Sequence, residues 1–112
     1  MSVGKEITVR SLLPVIDNIE RALGHLPKDL EKNEWAKGVS NIAKQLEDAL
    51  AKLGVKKIAA KGKEFDPHLM EAVAVEGEGE RETVTAEMQT GYTMNGEVIR
   101  HAMVKVEKET VK

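Results

Sequence analysis

The chain contains 112 residues, enough for one modest domain or for two small units that support each other. Its 17 Lys and Arg residues and 19 Asp and Glu residues give a net charge of −2, and aromatic residues make up only 3%. This composition argues against a nucleic-acid partner or an anionic membrane partner, because both require clustered positive charge and bases also stack on aromatic rings. The sequence contains no cysteine, which excludes disulfides, a thiol nucleophile and a Cys-based zinc site. It has no secretory signal and no apolar run long enough to span a bilayer, and therefore predicts a cytoplasmic protein without a membrane partner.

The first predicted element is an amphipathic helix that ends near Gly24. Its apolar residues recur at alternating spacings of three and four, the heptad pattern of a packed helix. They are Val9, Leu12, Ile16, Ile19 and Leu23. Gly24 suits a helix C-terminus, and Pro27 prevents continuation. Pro14 leaves the start of the helix open. A helix with Ser11 as N-cap would tolerate the proline in its first turn, whereas a helix from further upstream would lose a backbone hydrogen bond and bend there.

A second helix is predicted after a connector at residues 24–33, with Asn33 as its N-cap. Its apolar residues show the same heptad spacing. They are Trp35, Val39, Ile42, Leu46, Ala49 and Leu53. Gly54 suits the cap at the end of this helix, so residues 1–54 are predicted to form a hairpin of two antiparallel helices.

The two heptad patterns predict a homodimer. Helices of this length are marginal in water, and one hairpin buries only part of each apolar stripe. Pairing two hairpins into a four-helix bundle would bury the rest, at about 1.5–3 kcal/mol for each large aliphatic side chain removed from water. The predicted dimer interface consists of Leu12, Ile16, Ile19, Leu23, Trp35, Val39, Ile42 and Leu46. The alternative is that these stripes pack on the β-rich part of the same chain.

From Val55 onward, short β-prone segments separated by Gly and Pro predict a small antiparallel β-domain over residues 55–112. Asn95-Gly96 lies between two such segments and indicates a hairpin, because both residues tolerate positive φ. Two segments show the alternation of a strand with one buried face. Their apolar positions are Val84, Ala86 and Met88, and then Ala102, Val104 and Val106. The fold class is therefore predicted to be α+β, a helical hairpin followed by a β-domain.

The sequence offers no catalytic constellation. None of its three serines lies in a nucleophile elbow, and its histidines are scattered. Gly77-Glu-Gly-Glu80 lacks the Lys-Ser/Thr of a phosphate-binding loop, and its glutamates would repel phosphate. Asp66, His68 and Glu71 fit a capped, solvated turn better than a metal site. We therefore expect no catalytic residue, no metal and no cofactor, and a protein that is not an enzyme.

Four segments carry a family resemblance. They are residues 12–23 (LLPVIDNIERAL), residues 53–58 (LGVKKI), Gly62-Lys-Glu-Phe-Asp-Pro67 with Glu71-Ala-Val73, and residues 88–106 (MQTGYTMNGEVIRHAMVKV). In this order they resemble GrpE, the nucleotide-exchange factors of DnaK-type heat-shock chaperones. The likeness covers nearly the whole chain from residue 11 onward.

The resemblance implies a homodimer in which two helical hairpins form a four-helix bundle and each protomer carries a small β-domain. It further implies that the β-domain and adjoining helices bind the nucleotide-binding domain of the chaperone and favour its open cleft, so that ADP leaves. No chemistry on the nucleotide is implied.

The positions that match the chaperone-facing surface of the family are Phe65, Pro67, Met88, Glu97 and Val106. Glu97 is a departure, since the family usually has Lys or Arg there, and the reversed charge would reverse any ion pair. Thr90 replaces the common Lys, and His101 the usual Pro or Ala. The resemblance also implies a long N-terminal helical stalk, which these 112 residues do not include, so the roles linked to it are not assigned. A dimeric adaptor of the same fold without exchange activity is the alternative function.

Overall fold

The structure is a computed structural model and describes residues 3–111. Two helices come first and short strands follow, which confirms the predicted α+β class. The chain divides into two compact units, Met1–Val55 and Lys56–Lys112.

The helical unit contains α1 (Val3–Gly24), a 3-10 turn (Lys28–Leu30) and α2 (Glu34–Lys52). Asn33 is the N-cap of α2, as predicted, and its side-chain oxygen accepts a hydrogen bond from the backbone N–H of Trp35 at 2.8 Å. Gly4 and Lys5 in the first turns of α1 line a small cavity together with Leu53 at the end of α2. The helices therefore run antiparallel, as a hairpin requires.

The first helix continues upstream of Ser11, so the second of the two alternative starts is the observed one. Ser11 is not the N-cap; its hydroxyl donates to the backbone carbonyl of Ile7, one turn earlier in the same helix, at 2.9 Å. Pro14 lies inside the helix. It cannot donate the backbone hydrogen bond that this position normally makes, which is a local cost to α1.

The buried apolar residues of the hairpin form one column on each helix. They are Val9, Leu13 and Ile16 on α1 and Ala36, Ala43 and Leu50 on α2. The α2 residues recur every seven positions, as expected for one face of a helix that packs against another. The heptad residues beside these columns are less buried. Trp35 and Ile42 each precede a buried alanine by one residue and therefore lie about 100° around the helix from it.

The β-unit contains two small sheets. The first has the strand order β1-β4-β5, formed by β1 (Val55–Lys57), β4 (Tyr92–Met94) and β5 (Glu97–Arg100). The second has the order β2-β6-β3, formed by β2 (Met70–Gly77), β3 (Arg81–Gln89) and β6 (Ala102–Glu109).

The second sheet is mixed, whereas an antiparallel arrangement was predicted. Its central strand β6 runs antiparallel to β3 and parallel to β2. A short loop joins β2 to β3, so these two strands run in opposite directions on either side of β6. A strand between two opposed neighbours must be parallel to one of them. Local alternation in the sequence does not contain this information.

The core of the β-unit lies on one face of the second sheet. Ala102, Val104 and Val106 of β6 are fully buried, as their alternation predicted. Val84 of β3 and Met70 of β2 complete this face, and Phe65 and Leu69 pack against it from the preceding segment. Phe65 is attached to the sheet because its backbone N–H donates to the carbonyl of Glu82 at 3.0 Å.

Candidate protein-binding surfaces

The turn at Phe65–Pro67 is held by its own hydrogen bonds. The carboxylate of Asp66 accepts from the backbone N–H of His68 at 2.9 Å, and its backbone carbonyl accepts from Met70 at 2.9 Å. Asp66 therefore acts as the cap of a turn. Phe65 is half-buried against the β core, while Pro67 is exposed. The turn therefore presents an exposed proline on a backbone that is held by hydrogen bonds.

Met88 is exposed because β3 contains a β-bulge at this position. Glu87 pairs with Val104 and Gln89 with Met103, which leaves Met88 as the extra residue of the strand. Its side chain is 62% exposed. The predicted alternation of β3 is therefore wrong beyond Val84, where a first register shift occurs. A bulge is decided by the pairing with β6, and the sequence of β3 alone gave no signal for it.

The predicted hairpin at Asn95-Gly96 is confirmed. Asn95 has a φ of 51° and Gly96 a φ of 87°, the positive values that a type I′ turn requires. Tyr92 and Met94 before the turn are buried, and Ile99 after it is buried as well. Glu97 is exposed directly after the turn. The hairpin thus places one exposed carboxylate at its tip, while the side chains at its foot are buried in the β-unit.

Val106 is the one fully buried residue among the five predicted to face the chaperone. Its side chain is 0% exposed, because β6 is the central strand and this residue points into the core. It has no surface to offer a partner and stabilises the core instead. Its place in the alternation of Ala102, Val104 and Val106 was the signal in the sequence that it would be buried. Pro67, Met88 and Glu97 are exposed, and Phe65 is half-buried.

The predicted dimer residues of the helical unit also divide by burial. Ile16 is already buried within its own protomer. Leu12 is 38% exposed, Ile42 58% and Trp35 75%, which are high values for large apolar side chains. The remaining positions are half-buried; they are Ile19, Leu23, Val39 and Leu46. Sequence reasoning missed Leu13 and the two alanines of α2 as the internal contact of the hairpin, although their seven-residue recurrence was present in the sequence.

The exposed groups of these surfaces are suited to contact with another molecule. Within residues 3–111, no group of three His, Cys, Asp or Glu side chains is arranged to hold a metal ion. Over this described range, no helix combines the length and apolar character needed to cross a membrane. The exposed features are a flexible thioether, a proline and a carboxylate on ordered backbone, a mixture suited to contact with another protein.

Comparison with known proteins identifies the family. Residues 2–108 match the family model described as GrpE. The chain belongs to the GrpE family. Three relatives illustrate the match, and each bears the name Protein GrpE. The relative from Trichodesmium erythraeum (strain IMS101) is 46% identical over 103 residues, which cover 88% of this chain and 42% of the relative.

The other two GrpE relatives give similar values. The protein from Geobacillus thermodenitrificans (strain NG80-2) is 46% identical over 97 residues, covering 85% of this chain and 44% of the relative. The protein from Trichormus variabilis is 43% identical over 105 residues, covering 91% of this chain and 42% of the relative. The chain therefore spans less than half the length of these GrpE relatives.

Proposed function

We propose that this chain is the chaperone-binding part of a nucleotide-exchange factor that promotes ADP release from a DnaK-type chaperone. Membership of the GrpE family over residues 2–108 is the observation that carries the proposal. The exposed contact features of the β-unit support it, since an exchange factor needs a binding surface and no catalytic group. The protein is accordingly proposed to be a co-chaperone rather than an enzyme, in the cytoplasm.

The proposed mechanism is a shift in the conformational population of the chaperone. A protein that binds the open form of the nucleotide-binding domain more tightly than the closed form increases the open fraction. By thermodynamic linkage, the affinity for ADP falls by the same factor, and a coupling free energy of about 1–3 kcal/mol weakens ADP binding roughly 5–150-fold. Bond making and breaking play no part in this mechanism.

The proposed contact surface on the chaperone-binding region, residues 55–112, consists of the exposed side chains of Pro67, Met88 and Glu97, with Phe65 packed beneath the turn. Met88 is its centre, because a bulged methionine offers a large polarizable side chain that adapts to a partner. Val106 supports this surface from the core.

Residues 1–54 are proposed to form the dimerisation region, with two hairpins in a four-helix bundle. The large apolar side chains that the hairpin leaves exposed support this, since exposed apolar patches commonly mark protein–protein interfaces. They are Leu12, Trp35 and Ile42, together with the half-buried residues of the predicted interface. A second copy of the same hairpin would present a matching apolar surface.

The test of exchange activity is the release of a fluorescent ADP analogue from a DnaK-type chaperone, measured by stopped flow with and without this protein. We expect faster release with the parent chain. Met88→Ala should lower the acceleration at a fixed subsaturating concentration by about fivefold, the effect of losing roughly 1 kcal/mol of contact free energy.

Val73→Ala is the matched control. Val73 is likewise the extra residue of a bulge, on β2, and is 49% exposed, so its truncation also removes exposed apolar surface. It should leave ADP release unchanged. Equal losses in both variants would refute Met88 as the contact centre.

A dimeric adaptor without exchange activity is the second candidate function. The exposed carboxylate of Glu97 at the hairpin tip favours it, because this residue departs from the basic residue that the family resemblance implies at this position. Unchanged ADP release at a saturating concentration of a dimeric parent chain would support this adaptor function and contradict the exchange function.

A further inference from the structure

Three chain segments connect the two sheets of the β-unit, and two of them, called the two crossings below, lie side by side. The first crossing, from β3 to β4, passes through Thr90 and Gly91; the second, from β5 to β6, passes through His101. A Cβ atom on Gly91 would lie 2.5 Å from the backbone nitrogen of Ala102, so the two crossings are in close backbone contact. This contact therefore contributes to the orientation of one sheet relative to the other.

Each crossing is held by a side chain from the residue that directly precedes the other crossing. Before the second crossing, the guanidinium of Arg100 donates through Nε at 3.0 Å and Nη2 at 2.7 Å, both to the backbone carbonyl of Thr90. Before the first crossing, Nε2 of Gln89 donates to the carbonyl of His101 at 3.3 Å. Hydrogen bonds from a charged donor are about twice as strong as neutral ones, so Arg100 makes the stronger half of this reciprocal pair.

The guanidinium of Arg100 is fixed by a further contact. Its central carbon lies 5.3 Å from the centre of the Tyr92 ring, the geometry of a cation–π interaction. Tyr92 is buried and lies opposite Arg100 in the β4–β5 pair. The planar fork is thus held between an aromatic ring and a backbone carbonyl, an arrangement that the flexible ammonium of lysine does not reproduce.

Thr90 connects this pair to the bulge. Its hydroxyl donates to the carboxylate of Glu87 at 3.1 Å, so Glu87 and Thr90 bracket Met88. Thr90 is therefore bonded to the bulge of the second sheet through its hydroxyl. Its backbone carbonyl, which accepts from Arg100, links it to the first sheet. Arg100 ends β5, the strand that begins with Glu97 at the hairpin tip.

We propose that Arg100, acting through Thr90, is a positioning residue that fixes the Met88 bulge relative to the hairpin tip. The inference rests on the proposed chaperone-binding function, in which Met88 and Glu97 contact one partner although they belong to different sheets. A surface preformed in its bound arrangement avoids the ordering cost that mobile contact groups would add to binding. Arg100 itself need not touch the chaperone.

Residual dipolar couplings of backbone amides test the positioning directly, without the chaperone. In the parent chain, one alignment tensor should fit the amides of both sheets. In Arg100→Met, which keeps an apolar stem and removes the donors, the two sheets should require separate tensors of different magnitude. The matched control is Arg81→Met, at an exposed arginine at the start of β3, and it should retain a single tensor.

A single tensor in folded Arg100→Met would overturn the proposal. Circular dichroism establishes that the variant is folded. If Arg100→Met does not fold, Arg100→Lys, which keeps the charge and removes the planar guanidinium, serves in its place. It should likewise require separate tensors for the two sheets, and a single tensor would overturn the proposal.

The affinity for a DnaK-type chaperone tests whether the preformed arrangement of Met88 and Glu97 strengthens binding. Arg100→Met should weaken binding about tenfold, because the two contacts are no longer preformed. Met88→Ala should then cost about twofold or less in the Arg100→Met background, against about fivefold in the parent. An unchanged Met88→Ala effect would overturn the positioning role, since mere destabilisation by Arg100→Met does not alter it. A parent chain that fails to bind would refute the proposed function, and the dipolar couplings would still decide the orientation of the sheets.

Discussion

At the scale of single residues, Gly91 marks a close approach between two chain segments of the β-unit. The position of its missing Cβ lies 2.5 Å from the Ala102 nitrogen and 2.8 Å from Cδ1 of Ile58. Its carbonyl also accepts a hydrogen bond from the Ile58 N–H at 2.8 Å. The backbone at Ala102 is held in turn by a bond from its N–H to the carbonyl of Leu69 at 3.0 Å. The Ile58 methyl group can rotate away, but the Ala102 backbone cannot move without breaking its hydrogen bond, so a side chain at position 91 strains the structure locally.

Gly91→Ala should therefore lower the free energy of unfolding by about 1–3 kcal/mol, the usual cost of overpacking a buried site. Urea denaturation measures the change. Gly38→Ala is the control, because position 38 is exposed within α2 and has no atom within 4 Å of its Cβ position. That variant should gain roughly 0.5–1 kcal/mol from better helix propensity. A neutral Gly91→Ala would contradict the tight packing of the two chain crossings.

At the scale of elements, the proline inside α1 lowers the stability of this helix, and the packing of the helix has to offset that loss. Pro14 stands in the interior of the helix, where proline is about 3 kcal/mol less favourable than alanine. Leu13 and Ile16, on either side of it in sequence, are fully buried. Burying side chains of this size contributes about 1.5–3 kcal/mol each. The packing of α1 on α2 thus outweighs the local preference of Pro14 to end or bend a helix.

Pro14→Ala should raise the free energy of unfolding by about 1–3 kcal/mol, since it restores a backbone donor and relieves a steric clash. Urea denaturation followed by circular dichroism provides the measurement. Pro27→Ala serves as the control, because Pro27 precedes the 3-10 turn with a φ of −59° that suits proline. It should instead lose about 0.4–1 kcal/mol through greater freedom of the unfolded chain. A loss of stability in Pro14→Ala would show that packing depends on the altered helix geometry.

At the scale of the whole molecule, the exposed apolar residues of the hairpin distinguish a monomer from the proposed dimer. Ile42 and Trp35 lie one heptad apart on the same side of α2, and both are mostly exposed in the protomer. Trp35 is also the only tryptophan of the chain, so its fluorescence reports on this surface alone. A four-helix bundle would transfer its indole from water to an apolar environment.

Ile42→Lys should convert the dimer to a monomer, because it places a charge in the proposed apolar interface and removes little packing within the protomer. Sedimentation velocity should show half the parent mass, and the emission of Trp35 should shift to longer wavelength. Ile7→Lys is the matched control: Ile7 is 57% exposed on α1 but lies outside the predicted interface, and this variant should remain dimeric. An Ile42→Lys variant as dimeric as the parent would refute the proposed bundle.

Local patterns in the sequence determined the elements of this protein. Asn33 predicted the start of α2 because an N-cap bond spans only two residues, and Asn95-Gly96 predicted the hairpin because positive φ is a property of those residues themselves. The alternation around Val104 correctly indicated a strand with one buried face. The family resemblance also came from short segments of the sequence and was confirmed by the match to the family model, since a motif match needs no knowledge of strand pairing.

Only the tertiary structure decided which of these residues are exposed. Met88 and Val106 share the same kind of alternating pattern, yet one lies in a bulge and the other in the core, because strand pairing sets the register. Leu12 and Ile16 belong to one heptad stripe, and the position of α2 buries only Ile16 completely. The same holds for Arg100, whose role depends on a carbonyl that becomes its neighbour when the two crossings meet. Burial and contact between distant segments depend on the packing of the whole chain, which periodicity along the sequence does not encode.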